Sequence, residues 1–124
     1  MKSIIFSTVG VLAFASAALA GRICETSEGS PWVQDATFAI TRSWRIGNEN
    51  GKTLVCQTSS GGGCIILGTY ADGRVDFCSS QASCQTIDDI EEKLRDVINN
   101  CAQNGKVGGK WVFGDGSHAD VFHS

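Results

Sequence analysis

At 124 residues the chain has the length of one domain, and a formal net charge of −3 gives it no electrostatic reason to seek nucleic acid or an anionic membrane. Such a domain buries only a modest core, so its six cysteines bear directly on whether it stays folded.

The chain opens with Lys2, an apolar run from Ile4 to Ala15, and small residues ending in Ala18-Leu19-Ala20. That order predicts a secretory signal peptide over residues 1–20, cut between Ala20 and Gly21, with loss of Lys2 moving the charge to −4. The apolar run falls short of the roughly 20 residues that span a bilayer. Residues 21–124 are then one extracellular domain without a membrane anchor. Cys24, Cys56, Cys64, Cys78, Cys84 and Cys101 all lie in it. An even count in a short exported chain predicts three disulfides, and the absence of any C-x-x-C pair argues against a zinc site. Each bridge contributes on the order of 2–4 kcal/mol against a total stability of roughly 5–15 kcal/mol.

Residues 21–35 read as an extended arm pinned by Cys24. Ser30-Pro31 is a helix start, and Val33, Ala36, Ile40 and Trp44 fall on one helical face. The same stretch alternates as Phe38, Ile40, Arg42, Trp44, Ile46, which is strand spacing; the Ser-Pro start and the alanines favour the helix. After an Asn50-Gly51 turn, a three-strand meander is expected over Thr53–Gln57, Cys64–Tyr70 and Arg74–Cys78, with Asp72-Gly73 as a hairpin turn. In the third strand Val75 and Phe77 share a face, and Arg74 and Asp76 point the other way.

Thr86 to Cys101 carries the clearest helical signal. Thr86 is a good N-cap, Asp88 and Asp89 suit the helix dipole, and Ile87, Ile90, Leu94, Val97 and Cys101 form an apolar stripe. Glu91, Glu92, Lys93, Arg95 and Asp96 fall mostly outside it. Asn104-Gly105 supplies the stop. Lys110–Phe113 and His118–Phe122 flank the glycine-rich turn Gly114-Asp115-Gly116-Ser117 as a last hairpin. The expected fold is α+β: an antiparallel sheet of about five strands with two helices packed on one face, stapled by disulfides.

Catalytic chemistry finds no convergent set. Bridged cysteines leave no thiolate, and no G-x-S-x-G elbow is present. Ser59-Ser60 before Gly61-Gly62-Gly63 reads as a flexible loop rather than an oxyanion loop. Asp88-Asp89 and Glu91-Glu92 are explained by the helix dipole and solvent rather than as glycosidase carboxylates. A guanyl-type ribonuclease needs a carboxylate, a histidine and an arginine together; His118 and His123, an odd spacing apart in one strand, point to opposite faces. Asp115, His118, Asp120 and His123 read as a polar turn and strand rather than a metal site. No catalytic, metal or cofactor residue is assigned.

The order of motifs resembles the smut-fungus killer toxins and related small secreted effectors of filamentous fungi. Gly21-Arg22-Ile23-Cys24 resembles the family's opening Gly-x-x-Cys. Asn50-Gly51-Lys52-Thr53-Leu54-Val55-Cys56 and Gly63-Cys64-Ile65-Ile66-Leu67 resemble its two following strands. Asp89 to Cys101 is similar to its second helix, which ends in a cysteine, and Val112 to Phe122 sits where the last strands fall. The family's Cys-x-x-Cys-Gly after that helix is replaced by Cys101-Ala102-Gln103-Asn104-Gly105, and the basic surface linked to cation channels is absent. The resemblance implies a compact α/β sandwich, export, and a Cys24–Cys101 disulfide. Cys56 and Cys64 flank one hairpin and are expected to face each other, which leaves Cys78 with Cys84; other pairings stay open. The expected function is that of a secreted effector or killer-type toxin, a monomer acting by binding through exposed loops at 57–63 and 114–118. Its target would be a protein or cell surface of a host or competitor. The alternatives are a ribonuclease-like protein and an inhibitor of a foreign hydrolase.

Overall fold

A computed structural model describes residues 20–46, without the side chains of 43–46, and residues 53–124. The expected leader and the Asn50-Gly51 turn lie outside the described residues. The elements in chain order are β1 (Gly21–Cys24), α1 (Val33–Ile46), β2 (Leu54–Gln57), β3 (Gly63–Tyr70), β4 (Gly73–Ser79), β5 (Ser83–Thr86), α2 (Ile87–Cys101), β6 (Gly109–Val112) and β7 (His118–His123). Five strands form an antiparallel sheet in the order β1-β6-β7-β4-β3, and β2 pairs with β5 in a separate ribbon. The fold is the expected α+β sandwich stapled by disulfides.

Local chemistry explains the elements. The expected helix forms as α1 but starts at Val33, past Ser30-Pro31: Ser30 Oγ accepts from Ser27 N and Pro31 O from Val107 N, while Val33 N donates to Gly105 O and Ala36 N to Trp32 O. In α2, Thr86 Oγ1 accepts from Asp89 N at 3.2 Å. The stripe Ile87, Ile90, Leu94, Val97 and Cys101 is buried against the sheet together with Ile40, Val75, Phe77, Ala119 and Val121. α1 packs on β3 and β4, whereas α2 covers β1, β6 and β7 and touches α1. Strand alternation then sorts the rest: Val75 and Phe77 point into the core, and Arg74 and Asp76 stand on the face the helices leave uncovered. One acid departs from its expected place, because Glu91 is only 9% exposed.

Two glycines are fixed by close approach. A Cβ on Gly73 would lie 2.7 Å from the Asp35 carbonyl, where the β3–β4 turn meets α1, and one on Gly109 would lie 2.5 Å from Ile23 O. The α2 exit uses Asn104 (φ 53°) and Gly105 (φ 80°) in a turn closed by Gln103 and Lys106.

The meander is corrected. β2 leaves the main sheet and pairs antiparallel with β5, a strand the sequence did not announce. The disulfides follow. Cys24 is bonded to Cys101, but Cys56 pairs with Cys84 and Cys64 with Cys78. The expected Cys56–Cys64 and Cys78–Cys84 bonds are absent because their members sit in different sheets. Cross-strand register decides: Cys56 lies opposite Cys84 with Cα atoms 4.1 Å apart, and Cys64 opposite Cys78 at 4.0 Å.

Candidate functional site

Three turns meet at one end of the main sheet: 58–62 before β3, 80–82 after β4, and 113–117 between β6 and β7. Register places them there, since Gly63 pairs with Ser79, Cys78 with His118, and Val112 with His118. The two loops singled out in the sequence are thus neighbours on one rim, joined by a third.

Gln57 braces the first two turns. Its side chain is 4% exposed, and its amide nitrogen donates to Ser59 O at 3.1 Å and Gln81 O at 3.0 Å, while its oxygen accepts from Ser59 N at 2.6 Å. Asp115 ties in the third. Its carboxylate accepts from Ser83 Oγ at 2.5 Å, Ser117 N at 2.9 Å and Ser117 Oγ at 2.6 Å. Those donors hold the Asp115 carboxyl below the usual aspartate range, hydrogen bonds from Ser117 and Ser83 being the main cause. The Cys56–Cys84 and Cys64–Cys78 disulfides stand directly behind the turns. The result is a stiff edge with exposed Thr58, Ser59, Ser60, Ser80, Gln81 and Gly114. Its one charge is Asp115.

Beside the rim, the helix-free face carries a polar row. Lys110, Asp120 and Asp76 are successive cross-strand partners on β6, β7 and β4. Asp76 is 2% exposed and takes a bidentate grip from Arg74, Nε at 2.8 Å and Nη2 at 3.0 Å. The Arg74 guanidinium also lies 5.1 Å over the Phe122 ring. His118 Nδ1 is 2.6 Å from Asp120 Oδ1. Burial pushes the Asp120 carboxyl above its ordinary range, opposed by His118 and Lys110. A shallow cavity of about 230 Å³ adjoins it, lined by Glu25, Gly109, Lys110, Asp120, Val121 and Phe122.

Chemically the row is self-compensated: Lys110 faces Glu25 at 3.8 Å, Arg74 faces Asp76 and His118 faces Asp120. The nearby hydroxyls of Ser83 and Ser117 are committed to Asp115. The four residues Asp115, His118, Asp120 and His123 are not brought together. Asp115 belongs to the rim, His118 and Asp120 pair with each other, and His123 turns to Asp72 at 3.8 Å. Cys78 approaches His118 and Asp120 in the geometry of a ligand trio, but its sulfur is already bonded to Cys64.

Sequence reasoning missed the Gln57 brace and the polar row. The row had a signal: Arg74-x-Asp76 and His118-x-Asp120 each place two polar groups on one strand face. No protein-family model matches the chain, and no curated protein matches it significantly.

Proposed function

We propose that the protein is a secreted effector or antagonistic toxin that acts by binding a protein or cell surface of a host or competitor, with the braced rim as its contact surface. The observation that carries this reading is the convergence of turns 58–62, 80–82 and 113–117 on one edge held by two disulfides and the buried Gln57 amide. Rigid display of polar loops lowers the ordering cost of association. Export is supported by the leader-like N-terminus and by three disulfides, which persist in oxidising compartments. Among the described residues no helix is long and apolar enough to cross a membrane. Binding rather than catalysis is favoured because the Ser83 and Ser117 hydroxyls are committed to Asp115 and all six cysteines are bridged.

The test applies the disulfide-intact protein to plant leaves and to competing fungi, alongside a rim variant, Ser60→Arg. A response to the native protein that the variant loses while keeping its thermal midpoint is the expected outcome. Inactivity of the native protein in both assays would remove the proposal. Turnover of RNA or polysaccharide abolished by His118→Ala would replace it with a hydrolytic reading.

A further inference from the structure

The main sheet ends in two unlike edges. β1 has four residues and carries Arg22, which ion-pairs with Asp96 at 2.7 Å. β3 has eight, Gly63–Tyr70, and none of them is charged. Natural edge strands are usually blunted by charge, proline or a bulge. β3 has only a bulge, at the register shift between Ile66 and Gly68, so Gly63–Ile66 stays regular.

The main-chain groups of that regular stretch can be placed. Cys64 and Cys78 oppose each other with Cα atoms 4.0 Å apart, the spacing of an antiparallel pair that exchanges no ladder bonds. The N–H and C=O of Cys64 therefore point away from β4 toward the open edge, and alternation gives Ile66 the same orientation. Both side chains are exposed, Ile66 at 52%.

We propose that a second copy of this chain docks on this edge, β3 against β3, antiparallel about a twofold axis at Ile65. In that register Cys64 of one copy faces Ile66 of the other, and the outward N–H and C=O of all four residues pair. Each Ile66 side chain covers the other copy's Cys64–Cys78 disulfide, and the two five-stranded sheets run on as one. Charge selects this occupant. A foreign strand with charged side chains would bury an unpaired charge beside Ile66, whereas β3 brings none. The proposal departs from the monomer expected from the sequence, because an edge with no strand partner among the described residues is a property of sheet order that no local pattern reveals.

Sedimentation equilibrium on the disulfide-intact protein made from the full chain tests this. The expected result is reversible dimerisation, weakened at least about tenfold by Ile66→Lys, a change at an exposed position. Leu54→Lys, at another exposed apolar residue (60%) that lies on β2 and off the edge, should leave the dimer intact. Near-ultraviolet circular dichroism and a free-thiol count confirm that each variant is folded. Amide exchange at Cys64 and Ile66 should slow as the dimer forms. A native protein that stays at monomer mass up to about 1 mM overturns the proposal. So does a dimer indifferent to Ile66→Lys, or one in which those two amides exchange no more slowly.

Discussion

Glu91 is a carboxylate on the buried side of α2, and its Oε2 atom has no hydrogen-bond partner among the described residues. Burial raises its pKa, with Arg95 pulling the other way. The unfolded chain therefore ionises first as pH rises, and Glu91 costs stability from the ordinary glutamate range upward. Glu91→Met is expected to stabilise the fold by about 1 kcal/mol at pH 7, with the gain shrinking toward pH 4. Thermal unfolding at both pH values checks it; an equal gain at both would mean that carboxylate desolvation is not the cause. Asp115 is the opposite case. Its lowered pKa contributes stability above the ordinary aspartate range, and that contribution is lost as pH falls through the lowered value. Because Asp115 is exposed, its removal should act locally. Asp115→Ala is expected to speed exchange of the Ser117 amide while costing under about 1 kcal/mol of global stability, measured by hydrogen exchange and urea unfolding.

Among the elements, α2 was legible because three independent signals agree on it: the Thr86 cap, the acidic first turn and an apolar stripe at helical spacing. β4 was legible because alternation separated Val75 and Phe77 from Arg74 and Asp76. β5 was not, for a physical reason. Ser83-Cys84-Gln85-Thr86 has no apolar face and no fully buried side chain, and its only strand partner among the described residues is β2. Missing it forced β2 into the main sheet and the cysteines into the wrong partners, since bonding follows register and not nearness along the chain. The rim shows the same divide. Its turn residues announce loops, but their meeting depends on which strands neighbour one another. Register also orders the cross-links. Cys24–Cys101 spans 77 residues, Cys56–Cys84 spans 28 and Cys64–Cys78 spans 14. Replacing each pair by serines should therefore cost most for Cys24–Cys101, about 4.5 kcal/mol, and least for Cys64–Cys78, about 3 kcal/mol, in urea unfolding. Equal losses would point to native-state packing rather than chain entropy as the source.

For the molecule as a whole, the division of labour is spatial. One face of the main sheet is spent on the helices and the apolar core, the other on a compensated polar row, and one end on the rim. The order of assembly follows from the strand that begins the described fold. Among the described residues, β1 at 21–24 has a single strand partner, β6 at 109–112. A nascent chain leaving the ribosome thus carries β1 unmated until residues 109–112 emerge. Cys24 likewise has no bonding partner until Cys101 appears. The outer edge of the sheet and its longest-range cross-link are therefore the last parts to close, once residues 101–112 have met residues 21–24.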